Sequence, residues 1–177
     1  AEVSAAPFHL WKATAGEGAT TSPAIVKLPN QKQAKEKYHG FASVLDILPT
    51  VLEFAKVSVP KDQYNGRAIN NPSGVSWKNA LENKHARIRP ADFSFADELH
   101  GNKYAKQGDW KIALQTKAKI TTGAWTLGPD QWELYNLKND RGETTNLAAQ
   151  NPEKLKQLIQ VYQQYALKNG VQEYAPK

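Results

Sequence analysis

The sequence predicts an α+β fold in which a small antiparallel sheet is covered by a C-terminal helix. Three observations carry it. Over Trp132–Leu137 large residues alternate: Trp132, Leu134 and Asn136 point one way, Glu133, Tyr135 and Leu137 the other, as a half-buried strand requires. The strand-like segments 102–106 and 109–114 meet at Gln107-Gly108, a two-residue connection with glycine that signals a tight hairpin. Leu155, Leu158, Ile159, Tyr162, Tyr165 and Ala166 form one apolar stripe at helical spacing. A three- or four-stranded sheet with that helix on its face is the economical architecture for residues 61–177.

Taken in order, residues 12–23 are rich in Ala, Thr, Gly and Ser and read as a loop. Residues 24–28 form a short apolar strand ended by Pro29, and 31–38 a solvated, Lys-rich connection. Residues 43–56 read as a helix. With Asp46 as N-cap, Pro49 falls in the first turn, where its missing N–H costs little. With Ser43 as the cap, Ser43 and Asp46 make a capping-box pair instead. Leu48, Val51, Leu52 and Ala55 share one face of that helix. Residues 61–67 are a turn-rich linker and the candidate subdomain boundary, 77–81 a short helical piece, and 91–96 a strand. Residues 115–131 are an extended hairpin arm or a surface loop, and loops of that length are often functional. The chain reverses at Lys138–Gly142, where Asn139 and Asp140 can bond their own backbone. The last helix spans 152–169, with Asn151 as N-cap, Pro152 at its first position and Gly170 beyond its end.

The 177 residues suit one generous domain, or a small domain with part of another. The apolar fraction is 40%, but five Trp, seven Tyr and five Phe supply large surfaces to bury, so the chain as a whole is not disordered. A net charge of +6 favours anionic partners, against the plainer reading of an ordinary basic surface. No basic run of five or more residues appears, and no apolar run approaches the ~20 residues needed to span a bilayer. Neither nucleic acid nor membrane is expected as a partner. There is no cysteine, which excludes a disulfide, a thiol nucleophile and a Cys-based metal site within the chain. There is no methionine either, even at position 1, and the chain reads as a processed product or an excerpt of something longer.

Five stretches carry more than composition: EGATTSPAIV (17–26), VLDILPTVLEFA (44–55), NGRA (65–68), ELHGNKYAKQGDWKI (98–112) and WELYNLKNDRGETTNLA (132–148). In this order they resemble the C-terminal portion of arylsulfatases, close to the bacterial Pseudomonas type. The resemblance implies a large α/β domain of the alkaline-phosphatase type, followed by a small sheet-and-helix subdomain. Residues 1–60 then correspond to the last strand and helix of the large domain, and 61–177 to the subdomain. The family hydrolyses sulfate esters. A Cys or Ser in a C/S-x-P-x-R motif becomes formylglycine, whose hydrate attacks sulfur, and a divalent cation, usually Ca²⁺, sits among Asp and Asn side chains. This chain has neither that motif nor the paired Asp or Asp-Asn-Gly of the metal site. The formylglycine, the Ca²⁺ and the large domain that holds them are expected upstream, as partners of this segment.

One family residue maps onto the chain. A sulfate-binding lysine stands five residues before the Glu of Glu-Gly-Gly-x-Arg-x-Pro; that Glu is Glu17 and the lysine is Lys12. An ammonium there suits the ester oxygen and a non-bridging sulfate oxygen, stabilising charge on the leaving group. Read from the residues alone, Lys12 is a solvated loop lysine. The motif departs from the family at Ala19 and Thr21, and Asp-Pro-Gly-Glu is Asp140-Arg141-Gly142-Glu143. The Thr21 change removes a basic residue beside the site and bears on the loop's conformation.

Other candidates are weaker. His9, His39, His85 and His100 show no metal-ligand spacing. His100, inside the fourth stretch, is a candidate substrate contact against a surface role. Trp125, near Lys117 and Lys119, is a candidate for lining a substrate entrance. Trp110 and Trp132 read as core residues rather than carbohydrate platforms. Asp140 and Glu143 read as stabilisers of the turn. The resulting expectation is a sulfatase segment for sulfate esters, aryl sulfates first, that supplies Lys12 and one wall of a cleft and is inactive alone. The alternatives are a non-catalytic module for anionic glycans, and a phosphate or phosphonate ester hydrolase of the same superfamily. A further expectation is exposed apolar surface around Ile25, Val26, Val51 and Leu52 where no other chain covers it.

Overall fold

A computed structural model describes residues 6–8, 10–29, 37–83, 86–115 and 131–172. The chain divides into two units, Ala1–Ile25 with Ser94–Lys177, and Val26–Phe93. The boundary expected after residue 60 falls inside the second unit.

The first unit holds α1 (Glu17–Thr20), the strands β3 (Ser94–Leu99), β4 (Asn102–Gln107), β5 (Trp110–Leu114) and β6 (Trp132–Asn136), and α4 (Pro152–Asn169). The strands make one antiparallel sheet in sequence order, the predicted architecture with four strands. Register decides which side chain goes where. Ala96 faces Ala105, Ala105 faces Ile112, and Ile112 faces Leu134. These four are buried and pack against Leu158 and Tyr162 of α4, with Trp110, Trp132, Leu155 and Ile159 around them. Each large apolar side chain buried there contributes about 1.5–3 kcal/mol before entropy. Trp132 lies 5.2 Å from Tyr162, ring centroid to ring centroid. Both tryptophans are thus core, as read from the sequence.

The connections are one or two residues from where the sequence placed them. The β4–β5 turn is Gly108-Asp109 rather than Gln107-Gly108, because Gln107 still pairs with Trp110. The strand predicted at 91–96 runs 94–99. It ends in a two-residue turn, His100-Gly101, with φ of 56° and 82°; positive φ at both positions matches the right-handed twist of the flanking strands. The last helix has its predicted bounds, and Gly170 ends it at φ 63°. Asn151 occupies the N-cap but makes no side-chain cap bond; its amide donates to the Leu147 carbonyl at 3.3 Å instead.

The second unit is built around Asp46. Ser43 and Asp46 form the capping box of a 3-10 turn, Val44–Asp46, that leads into α2 (Ile47–Phe54). Asp46 is not the side-chain cap of α2. Its buried carboxylate accepts from Ser43 N (2.8 Å), Val75 N (2.9 Å), Trp77 Nε1 (3.0 Å) and both terminal nitrogens of Arg89 (2.6 and 2.5 Å). Burial opposes its ionisation, but these donors outweigh burial and hold the carboxyl at about 2. Gly74 lets the chain pass the 3-10 turn: a Cβ there would meet the Leu45 carbonyl oxygen at 2.0 Å. The stretch read as a linker is a small hairpin, β1 (Gln63–Tyr64) and β2 (Arg67–Ala68), turning at Asn65-Gly66. The short helix α3 covers Lys78–Glu82.

The strand expected at 24–28 is absent; those residues carry no regular structure. No described strand pairs with this segment, and a strand needs a neighbour for its ladder bonds. Ile25 is 97% exposed, and Val26, Val51 and Leu48 are exposed as well, while Leu52 is half-buried. Among the described residues, Leu48 and Val51 on the apolar face of the helix at 47–54 are exposed.

Candidate functional site

The sheet face away from α4 carries the site. Alternation places Tyr104 and Lys106 of β4, Lys111 and Ala113 of β5, and Tyr135 of β6 on that face. Lys106 and Lys111 stand directly opposite each other, an arrangement of like charges that is destabilising on its own. Glu17 resolves it. Its Oε1 accepts from Lys106 Nζ at 2.5 Å and Lys111 Nζ at 2.9 Å. Lys111 also lies 2.7 Å from Glu143 Oε1, an ion pair out of line for a hydrogen bond. The other oxygen of Glu143 accepts from the Glu17 backbone N–H at 2.6 Å. Two lysines and two glutamates therefore cancel in charge, and all but Lys106 are buried.

The electrostatics follow. Burial raises the Glu17 carboxyl, but Lys111 and Lys106 overcome it and hold it at about 2. Burial pushes the Lys106 ammonium down, and Lys111 adds to this against the pull of Glu17. Burial, with Asp97 and Glu17 nearby, pushes the Tyr104 phenol up. The neutral ring lies 5.5 Å from Lys111 Nζ and serves as a second partner for the cation.

This cluster fixes the segment that bears Lys12. Alternate residues are tied to the sheet unit by side chains. Asn102 donates to Ala13 O at 2.8 Å, Gln115 accepts from Ala15 N at 3.1 Å, and Glu143 accepts from Glu17 N. Thr14 closes a turn on Trp11 O at 2.8 Å. Leu10 and Ala13 sit at φ 64° and 69°, a left-handed conformation that costs non-glycine residues about 1–2 kcal/mol each. Lys12 lies between them, exposed to solvent. At Ala13 the anchors offset that cost by holding the backbone from Ala13 to Glu17.

Predicted candidates fare differently. His100 is exposed and serves the β3–β4 turn. It is two residues from Asn102, whose amide holds Ala13, so His100 and Lys12 belong to the same rim of the sheet. Trp125 lies outside the described residues, as do Lys117 and Lys119. Thr21, in place of the family arginine, donates to Glu17 Oε2 at 2.9 Å, and the loop closes into the helical turn α1. Asp140 stabilises its turn, accepting from Thr144 N and Thr145 N, both at 2.9 Å. Glu143 does not stay in the turn: it takes φ 55° and points into the cluster.

The chemistry available is limited and specific. Glu17 and Glu143 are engaged by lysines, and among the described residues no three His, Asp or Glu side chains converge as a cation site. The described residues therefore do not fit a resident Ca²⁺, and this chain has no formylglycine precursor motif. What it offers is one exposed ammonium on a braced loop.

No family model matches the chain. An uncharacterized sulfatase of Schizosaccharomyces pombe is 33% identical over 171 residues, 97% of this chain. This chain belongs to the sulfatase family. It matches the C-terminal portion of that relative and spans about 29% of its length. An N-acetylglucosamine-6-O-sulfatase of Bacteroides thetaiotaomicron is 28% identical over 80% of this chain and 24% of its own. Among solved structures, Ps i-CgsB in complex with k-i-k-neocarrahexaose shares the fold with a TM-score of 0.67 at 18% identity, over 97% of this chain and 34% of that one. In this sulfatase segment Glu17, Lys111 and Glu143 come from three different stretches of the resemblance. Their charged residues meet in one buried cluster.

Proposed function

We propose that this chain is the part of a sulfatase that presents Lys12 to the ester group and forms one wall of the cleft. The observation that supports it is the braced loop. Backbone at positive φ flanks an exposed lysine, and the chain that follows it is anchored at alternate residues by buried side chains, the way a positioned donor is held before charge develops. The Lys12 ammonium donates to the ester oxygen and a non-bridging oxygen, favouring departure of the alcohol. The nucleophile and the Ca²⁺ come from the remainder of the enzyme, and the segment alone turns nothing over.

The substrate class is sulfate ester. Relatives named as an arylsulfatase and as an N-acetylglucosamine-6-O-sulfatase make aryl and sugar sulfates the two classes to compare. In the full-length enzyme Lys12→Ala should lower kcat about 10²- to 10³-fold, the usual loss for one positioned donor. Unchanged kcat/KM on both substrate classes would remove Lys12 from the site. Ca²⁺-dependent turnover by the isolated 177-residue chain would remove the claim that it is inactive alone.

A further inference from the structure

We infer that Lys111, through Glu17 and Glu143, is a positioning residue for Lys12. The inference rests on the reading of Lys12 given above and deepens it. Lys111 is the only member of the described cluster that touches both glutamates, at 2.9 and 2.7 Å, and its side chain is fully buried. It grows from β5, a central strand bonded on both sides. Lys111 holds the side chain of Glu17, the first residue of α1, and Glu143 holds that residue's backbone N–H. The loop is thus clamped twice at Glu17, and the same stretch is held at Ala15 and Ala13. An apolar contact would bury this segment equally well without setting its register along the sheet. The Lys111–Glu17 hydrogen bond and the Glu17 N–H bond to Glu143 set it, because both are directional and both meet at residue 17. Glu143 takes φ 55° at the end of its turn and directs its carboxylate into the cluster. Lys111 never reaches solvent, so it acts on the ester only through where Lys12 stands.

A displacement of about 1 Å at such a group lowers turnover by up to about a hundred-fold. The test uses the full-length enzyme and three changes: Glu143→Gln, which keeps an acceptor for the Glu17 N–H but removes the ion pair; Asn102→Ala, which frees Ala13 and leaves the charges alone; and Lys12→Ala. Glu143→Gln and Asn102→Ala should each lower kcat about ten-fold or more with little change in KM. They should also speed amide exchange at residues 13–18 without altering β5 or α4. In the Lys12→Ala background neither change should slow the enzyme further, since the group being positioned is gone. Full additivity with Lys12→Ala, or unaltered exchange at 13–18, would overturn the inference while leaving the Lys12 reading intact. A silent Lys12→Ala would instead overturn both. If Glu143→Gln fails to fold, Lys111→Met decides instead, because it removes the cation and leaves both glutamates in place; unaltered exchange at 13–18 in that variant would overturn the inference.

Discussion

Replacing Lys111 by methionine should destabilise the 177-residue chain in a way that depends on pH with a calculable slope. Methionine keeps most of the buried stem, so the cavity is small and the main loss is charge. The cluster goes from two cations and two anions to one cation and two anions. Breaking a buried ion pair costs about 3–5 kcal/mol. The mutant has an escape, however: one glutamate can take up a proton. From an ordinary value of 4.5, protonation at pH 7 costs about 3.4 kcal/mol, at about 1.36 per pH unit. That caps the charge penalty near 3 kcal/mol. In this window the folded mutant binds one more proton than the unfolded chain, so its stability rises as pH falls. The wild type behaves oppositely and lower down. Its Glu17 carboxyl, depressed to about 2, stabilises the fold above 4.5, and that stability is lost as pH falls from 4.5 toward 2. The gap between the two proteins should therefore shrink by about 1.4 kcal/mol per pH unit and nearly close around pH 4.5. Urea unfolding followed by tryptophan fluorescence reads this directly, since Trp110 and Trp132 pack on the core. A pH-independent gap, or one under about 0.5 kcal/mol at pH 7, would refute the reasoning.

Other outcomes are equally specific. Asp46→Ala strands the buried Arg89 and removes the acceptor of Val75 N and Trp77 Nε1; a cost of about 3–5 kcal/mol should appear as faster amide exchange within 43–93, with β4 and β5 unaffected. Gly74→Ala forces a Cβ onto the Leu45 carbonyl oxygen and should cost about 1–3 kcal/mol in urea unfolding; a neutral result would mean the two backbones part easily. His100→Asn puts a residue that tolerates left-handed φ into the first turn position and should raise the thermal midpoint slightly; a drop would point to a contact made by the imidazole.

The sheet and the last helix were legible because their periods, two and 3.6, are local properties of the sequence. The exposed helix face was legible for the same reason, since Leu48 and Val51 form a stripe that is exposed among the described residues. The strand expected at 24–28 was not real in this chain, because apolar character does not supply a neighbour to bond. The cluster was hidden by sequence distance: Lys111 is 94 residues from Glu17, and Glu17 is 126 from Glu143. One local sign was available. Lys111 sits between Trp110 and Ile112 in a strand whose other face also carries Ala113, and a lysine at such a position needs a buried counter-charge. Nothing local paired it with Glu17, and Glu143 looked like a turn residue beside Asp140. Lys12 itself came only from the resemblance; the strained, anchored loop around it was visible only in three dimensions.

Lys12, as proposed above, stabilises charge on the departing oxygen. The direct test is the dependence of single-turnover rate on leaving-group pKa for a series of aryl and sugar sulfates, in the full-length enzyme and its Lys12→Ala variant. The variant should show the steeper dependence, losing little with good leaving groups and most with poor ones. Parallel lines would show that Lys12 binds sulfate uniformly or not at all, and would contradict the claim.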